Sequence, residues 1–248
     1  MAALTLTAIE GIPMVQQGEN VAELVVRALD KMGLELHNGD ILTICQKIVS
    51  KSEGRVVHLD GIEASEKAVR IASGERDPRE IEVILGEAKS IVRERGPLVI
   101  TQTQHGFICA SAGVDHSNAP GPGMLVLLPV DPDASARRIR ERVLELTGQT
   151  VGVVITDSFG RPFRQGTTDV AIGIAGIPAI IDLRGTTDRI GYELRASRTA
   201  IADEIAAAAD LVRGKAEGVP AVIVRGLHLE GDGTAQEIVI EPELDLFA

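Results

Sequence analysis

The architecture of this chain is best read from the stretch Val151-Gly152-Val153-Val154-Ile155-Thr156-Asp157-Ser158. Its leading residues are apolar or small, which predicts a buried strand over residues 151–156. The strand ends in a carboxylate and a hydroxyl, and α/β sheets bind ligands at the carboxyl ends of their strands. Asp157 and Ser158 are therefore candidate site residues. The alternative is that Asp157 only caps a turn or a helix.

Short apolar runs alternate with helical patterns along the rest of the chain. This alternation predicts a mixed α/β (α+β) fold, and no low-complexity linker or repeat interrupts the expected single domain, 1–248. The pair Asp77-Pro78 predicts a helix cap followed by proline in the first turn. Long glycine-containing polar loops are expected at 112–123 and 157–169. The predicted strands are 4–8, 41–49, 98–103, 124–128, 151–156, 179–183 and 221–225, and the predicted helices are 21–32, 62–72, 80–94, 134–147 and 195–212.

The composition restricts the classes of ligand. The formal net charge of -11 disfavours nucleic acid and anionic membranes as partners. A phosphate ligand would need bridging metal ions or a local group of Lys and Arg side chains, because carboxylates repel it. Two cysteines, Cys45 and Cys109, make no disulfide framework, and Cys45 is expected to be a small buried side chain. The first residues resemble no leader or membrane segment, so we expect a cytoplasmic protein.

Several familiar nucleotide and metal motifs do not occur. There is no Walker A loop, no Gly-x-Gly-x-x-Gly fingerprint and no His-Glu-x-x-His pair, so a P-loop, a dinucleotide fold and a zinc site are disfavoured. Oxygen ligands remain: Asp157, Ser158 and Asp115 suit Mg²⁺ or Mn²⁺. As a bare pattern Asp115 is weak, since Asp is common in turns.

Positive charge follows two of the predicted strands. Lys47 and Lys51 come at or after the run 41–49 and could neutralise phosphate, or they could be solvated surface lysines. Arg161 and Arg164 lie in the expected loop after Asp157 and could hold a phosphate or a carboxylate beside the metal.

Several separated blocks, taken together, look like one enzyme family. These blocks are Glu10-Gly11-Ile12-Pro13, Gly39-Asp40-Ile41-Leu42, Gln46-Lys47-Ile48-Val49-Ser50-Lys51-Ser52-Glu53-Gly54-Arg55, His105-Gly106-Phe107-Ile108-Cys109-Ala110-Ser111-Ala112-Gly113-Val114-Asp115-His116-Ser117-Asn118, Leu128-Pro129-Val130-Asp131-Pro132-Asp133, Thr156-Asp157-Ser158-Phe159-Gly160-Arg161-Pro162 and Ala202-Asp203-Glu204-Ile205-Ala206-Ala207-Ala208-Ala209-Asp210-Leu211-Val212. With them the chain resembles the coenzyme F420-0:L-glutamate ligases, also called F420 gamma-glutamyl ligases, over nearly its whole length and in collinear order.

The resemblance implies a fold, a reaction and a set of cofactors. It implies two intertwined subdomains around mixed β-sheets, in the single-domain form of the family, and a homodimer. The implied reaction adds L-glutamate to a carboxylate of a deazaflavin precursor, coenzyme F420-0, at the expense of GTP. An acyl phosphate is the implied intermediate, and further gamma-linked additions would follow the first. Two Mg²⁺ or Mn²⁺ ions per site are expected, and a K⁺ ion is left open.

The resemblance also implies roles for individual residues. Asp115, Asp157 and Lys51 match the catalytic group, and the metal ligands would be Asp115, Asp157 and Ser158. The loop 213–220 would embrace the nucleotide. The expected nucleotide-binding positions are Ile12, Pro13, Met14, Val15, Gln46, Lys51, Asn118, Gly214, Lys215 and Gly218.

Two positions depart from the family pattern, and two other functions stay open. Many relatives have Thr where this chain has Ser158, which keeps the hydroxyl. Archaeal relatives have a Gln metal ligand where Lys215 stands, and an ammonium cannot ligate a cation, which puts the second metal in doubt. The alternatives are a metal-dependent ligase of a different acceptor carboxylate and a non-catalytic nucleotide or cofactor binder.

Overall fold

A five-stranded mixed sheet forms the centre of the molecule. In the computed structural model, which describes residues 3–215 and 217–246, the strand order is β1-β12-β2-β8-β9. Only β2 and β8 run parallel, while the other neighbours pair antiparallel. The strands are β1 (Thr5–Ile9), β2 (Ile41–Cys45), β8 (Gly152–Arg161), β9 (Arg164–Ala175) and β12 (Ala221–Arg225). The stretch that begins at Val151 thus forms an inner strand, as predicted.

Three helices accompany this sheet, and local capping explains where they begin and end. In α1 (Val21–Met32), Asn20 accepts from the Glu23 amide and Gly33 ends the helix with φ 66°. In α5 (Pro132–Thr147), Asp131 accepts from the Ala134 amide. The third helix, α6 (Ile201–Arg213), packs an alanine-rich face against the sheet, and the loop after it leads into β12.

The part of the chain between β2 and β8 forms a second, smaller hydrophobic core. It buries side chains such as Ile71, Ile84 and Leu125 away from the main core. This part holds α3 (Glu66–Ala72), α4 (Pro78–Glu87), the antiparallel pair of β3 (Val56–His58) and β7 (Met124–Val126), and the three-stranded antiparallel sheet of β4 (Ala88–Arg95), β5 (Leu98–Thr103) and β6 (Ile108–Ala110). The remaining strands, β10 (Ile181–Asp182) and β11 (Arg198–Thr199), pair with each other. The mixed α/β fold class is confirmed.

Two predicted elements change type part-way along. The strand expected at 41–49 ends at Cys45, and α2 (Gln46–Ser52) follows at once. The helix expected at 80–94 is α4, capped by Asp77 as predicted, followed by strand β4. In both places apolar residues recur on each side of the boundary, and tertiary pairing rather than local propensity sets where one element ends and the next begins.

The loop expected at 157–169 is wrong. Residues 157–161 extend β8 and β9 begins at Arg164, so the two strands form a long hairpin. The register pairs Asp157 with Val170 and Ser158 with Asp169. The hydrophobic pattern did not predict this hairpin, because its outer half is exposed and has polar side chains without an apolar face. Other predicted helices and strands were also longer than observed: α3 begins at Glu66, α6 begins at Ile201, and β10 has two residues.

Candidate functional site

A cleft of about 550 Å³ opens beside the ends of β2 and β8. Five segments line it: the chain after β1, the first turns of α2, the loop after β6, the β8–β9 hairpin and the loop after α6. This volume lies in the range of small-molecule sites. Its charged lining consists of Lys47, Lys51, Asp115, Asp157, Asp169, Asp210, Arg213 and Lys215.

The first ion pair in the cleft joins α2 to the loop after β6. Lys47 Nζ lies 2.6 Å from Asp115 Oδ2 and also donates to Ser117 Oγ. The Ser117 amide donates to Asp115 Oδ1 at 2.8 Å. Burial opposes ionisation of Asp115, but the bonds from Lys47 and Ser117 outweigh it and lower the pKa of this carboxyl. Asp115 is therefore held as an anion facing the cleft.

Helical spacing places a second lysine beside the first. Lys47 and Lys51 are four residues apart in α2, so their side chains leave the same face of the helix. Lys51 is buried, and burial together with the charge of Lys47 lowers its pKa. Lys47 pairs with Asp115, whereas Lys51 forms no ion pair among the described residues, so the two neighbouring ammonium groups could hold an anion.

Asp157 is the carboxylate with the strongest electrostatic perturbation in the cleft. Burial raises its pKa to about 7, and the charges of Asp169 and Asp115 act in the same direction. Within the described residues no Lys or Arg forms an ion pair with Asp157, and Lys47 acts on it only through space. A carboxylate in this position is stabilised by a cation that binds beside it.

A buried network anchors the floor of the cleft. The Arg213 guanidinium, at the end of α6, donates to Asp169 Oδ2 and to Thr156 Oγ1 at 2.7 Å. Its other terminal nitrogen reaches Thr43 Oγ1 at 3.2 Å. Ser158 Oγ donates to Asp169 Oδ1 at 2.6 Å. The network ties β2, β8, β9 and α6 together, and two of its members, Thr156 and Ser158, flank Asp157 in β8.

The structure brings most of the predicted site residues into this one cleft. Asn118 lies there with φ 58°, a left-handed conformation that Asn adopts more readily than most residues. Ala216, within the expected nucleotide loop, lies outside the described residues, as do Met1 and Ala2 at the start of the chain. The predicted residues that line the cleft are Ile12, Pro13, Met14, Val15, Lys51, Asp115, Asn118, Asp157, Ser158, Gly214, Lys215 and Gly218.

Three residues with a predicted role in ligand binding do not line the cleft. The Gln46 side chain is fully buried and accepts from Ser50 Oγ at 2.6 Å, because the first turn of α2 directs it inward rather than into the cleft. Arg161 and Arg164 are exposed at the far end of the hairpin and do not line the cleft. Four residues of extended strand, about 13 Å, separate Arg161 from Asp157. The expected loop would have let these arginines fold back, and the hairpin prevents it.

Sequence reasoning missed the buried ion pair of Arg213 and Asp169. Both residues were taken as loop positions: Arg213 was placed in the nucleotide loop, and Asp169 was given no role. The available signal was Thr167-Thr168-Asp169-Val170-Ala171-Ile172, in which polar residues run into an apolar strand. Reading that run as a strand paired with β8 would have placed Asp169 opposite Ser158. Cys45 is a smaller correction, because it is only partly buried and lines the cleft.

Comparison with known proteins tests the family resemblance. A sequence profile described as F420-0:Gamma-glutamyl ligase matches residues 11–226. A coenzyme F420:L-glutamate ligase of Methanopyrus kandleri is 46% identical over 257 residues, which is 100% of both chains. The corresponding protein of Methanothermobacter thermautotrophicus is 44% identical over 249 residues, which is 98% of both.

The chain belongs to the F420-0:gamma-glutamyl ligase family. It is therefore an enzyme, a ligase, and the reading as a non-catalytic binder is wrong. The profile covers all the cleft segments from Ile12 to Pro220, so the site described above lies within the matched part. No helix in the described part of this ligase has both the length and the apolar character needed to cross a membrane.

The donor set fits one of the two metal ions that the family resemblance implies. Asp115 and Asp157 supply two carboxylates to one cleft, and the unpaired Asp157 has hard oxygens suited to Mg²⁺ or Mn²⁺. Across the described residues, no group of three or more His, Cys, Asp or Glu side chains is arranged to hold a metal. Such an ion would need water or substrate oxygens to complete its shell, as Mg²⁺ usually does. A second ion at Ser158 does not fit, because Lys215 Nζ already donates to Ser158 Oγ.

Proposed function

We propose that this chain is a GTP-dependent ligase that adds L-glutamate to coenzyme F420-0 through an acyl phosphate. The reaction class follows from the family, whose curated members are named coenzyme F420:L-glutamate ligases. The observation that carries the mechanistic part is the juxtaposition in one cleft of Asp115, Asp157 and the lysine pair of α2. This arrangement provides divalent-metal ligands and anion-binding charge without a Walker A loop.

The proposed chemistry balances without any further reactant. An oxygen of the acceptor carboxylate attacks the γ-phosphorus of GTP, and GDP leaves. The glutamate amine then attacks the acyl carbon, the C–O bond breaks, and inorganic phosphate departs with that oxygen as the amide forms. Carboxylate activation is needed because oxide is a poor leaving group and phosphate a good one.

The residues of the cleft divide this work between them. Lys47 and Lys51 would hold phosphate oxygens and offset the charge of a strongly acidic protein. Asp115 and Asp157 would hold a divalent cation, which would neutralise charge that develops on the transferring phosphoryl group. Asn118 and the segment 12–15, which also line the cleft, would contact the nucleotide. The Arg213–Asp169 pair would hold Ser158 in place, and with it the neighbouring Asp157 of β8.

Other parts of the proposal come from the family resemblance. Successive gamma-linked additions would use the side-chain carboxylate of the newly added glutamate as the next acceptor. We place the enzyme in the cytoplasm as a homodimer, without nucleic acid or membrane partners. Exposed apolar side chains near the hairpin turn and in the 183–199 segment support self-association: Phe163 is 91% exposed and Ile190 is 90% exposed. Light scattering should give twice the chain mass, and a monomeric mass at assay concentration would contradict the dimer.

The decisive experiment separates ligation from simple nucleotide hydrolysis. GDP should form only when F420-0 and L-glutamate are both present with Mg²⁺ or Mn²⁺, and mass spectrometry should show F420-0 extended by glutamate. ATP in place of GTP, and Zn²⁺ in place of Mg²⁺, provide the specificity arms. The alternative function, a ligase of a different acceptor, predicts no turnover with F420-0 but GDP formation with another carboxylate. Full activity in the presence of a chelator and no added metal would refute the metal-dependent mechanism.

A further inference from the structure

The residue after the α6 C-terminal glycine reaches into the acidic part of the cleft. Gly214 follows Arg213 with φ 62°, a left-handed conformation that suits glycine, and a side chain there would collide with Glu217. This turn directs Lys215 back toward β8. Its Nζ donates to Ser158 Oγ and lies 3.9 Å from Asp169 Oδ1. An ammonium group therefore occupies the space beside Ser158.

Asp169 has little capacity left for a metal ion at this place, because two donors fill its Oδ2 and its Oδ1 lies near the Lys215 ammonium. Its Oδ2 accepts from Arg213 and from Thr156 Oγ1 at 2.9 Å, and its Oδ1 accepts from Ser158 Oγ at 2.6 Å. Asp169 and Arg213 are both almost fully buried, so their ion pair is shielded from solvent. Opening this pair to free a ligand would leave a buried guanidinium uncompensated, which is strongly unfavourable.

Ser158 is engaged in the same way. Its hydroxyl proton points to Asp169, and one of its two lone pairs accepts from Lys215. A divalent cation bound to the other lone pair would lie beside the Lys215 ammonium and be repelled by its charge. Asp157 differs because it has no ion-pair partner among the described residues, and Asp115 differs because its pair with Lys47 is partly exposed and costs less to open than the buried Arg213–Asp169 pair.

We propose that the Lys215 ammonium takes the place of a second divalent cation, so that each site of this enzyme binds one divalent ion. The positive charge beside Ser158 is then part of the polypeptide and does not depend on metal concentration. The ion held by Asp115 and Asp157 is the one that remains. The inference rests on the proposed function for that ion and for the nucleotide, and it concerns only the second cation.

Counting bound Mn²⁺ tests this directly. Electron paramagnetic resonance measures free Mn²⁺ during titration of the full-length protein, with Mn²⁺ alone and with a saturating non-hydrolysable GTP analogue. We expect wild type to bind one Mn²⁺ per chain with the analogue present. Lys215→Gln, which removes the charge and supplies an amide oxygen, should bind two. Lys215→Arg, which keeps the charge, and Lys31→Gln, which changes an exposed lysine of α1, should each bind one.

The outcomes separate this inference from the proposed function. Two Mn²⁺ per chain in wild type would refute the inference and leave the metal-dependent mechanism standing. One Mn²⁺ in Lys215→Gln, with a thermal melt like that of wild type, would also refute it. No bound Mn²⁺ in wild type, with or without the analogue, would refute the Asp115–Asp157 site itself and this inference with it.

Discussion

Replacing Asp157 by Asn should abolish ligation while leaving the protein folded. Asn keeps the size and one acceptor oxygen of the side chain but removes the charge that would hold a divalent cation. Without the cation, the triphosphate would meet Asp115 directly, and one carboxylate–phosphate pair at about 4 Å is opposed by roughly 4 kcal/mol at an effective dielectric near 20. A loss of about 4 kcal/mol of transition-state stabilisation corresponds to a rate lower by about a thousandfold.

The same substitution should stabilise the metal-free protein. Burial raises the pKa of Asp157 from 3.8 to about 7, so folding favours the protonated form. The contribution of Asp157 to folding stability is therefore fully present below its unfolded pKa, and it is lost as the pH rises through about 7. At pH 8 the charged carboxylate destabilises wild type by at most about 4 kcal/mol, and nearer 2 kcal/mol because the side chain is partly exposed. Asn removes this cost, and its advantage should disappear towards pH 4.

Two measurements on one protein preparation check both halves of this prediction. Initial rates of GDP and product formation at saturating metal give the catalytic loss, and urea unfolding with chelator at pH 8 and pH 5 gives the stability difference. Asp210→Asn is the matched control, since it removes another carboxylate from the cleft wall without touching the proposed metal ligands. Turnover within about threefold of wild type, a loss below ~1 kcal/mol, would show that Asp157 is only a structural residue.

Three further predictions follow from the contacts in the cleft. Lys47→Met should raise the KM for GTP on the order of tenfold, because one of two phosphate-facing ammonium groups is lost, and steady-state kinetics showing an unchanged KM would contradict that role. Asp169→Asn should cost about 3–5 kcal/mol of stability by leaving Arg213 buried without a counter-charge, which chemical denaturation would measure; a change below ~1 kcal/mol would show that the pair is dispensable. Burial raises the pKa of Cys109 to about 12, so its thiol should resist iodoacetamide at pH 8 in the native protein and react readily in urea, and equal rates in the two conditions would show that it is accessible.

Much of the fold could be predicted because its inner elements have a clear period. Helix α1 and strands β5 and β12 lie where the apolar pattern placed them, and the Asp77-Pro78 cap begins α4 as expected. Two boundaries could not be predicted in this way. At Cys45 and Ala88 apolar residues recur on both sides of the point where the chain changes from one element to another, and partners distant in sequence determine the change.

Site residues could be predicted where a single side chain has a recognisable chemistry. They were harder to predict where several side chains form a network. The carboxylates Asp115 and Asp157 stand out in glycine-containing polar segments, and the fold brings them to one cleft. Their roles as metal ligands stay predictions. Asp169 and Arg213 lie 44 residues apart, and their pairing depends on a strand register and on where a helix ends. No local sequence pattern therefore predicts this pair. The α2 helix shows the same limit, since it aligns Lys47 with Lys51 where a strand would have placed them farther apart.

Oxygen transfer from acceptor to phosphate tests the central claim most directly. F420-0 would be prepared with ¹⁸O in the carboxylate that receives glutamate, and incubated with the enzyme, GTP, L-glutamate and Mg²⁺. If the carboxylate is activated as an acyl phosphate, each inorganic phosphate released should contain one ¹⁸O atom, in equal amount to the amide product. Product formation with unlabelled phosphate would contradict the acyl-phosphate route, and no product at all would contradict the proposed substrate.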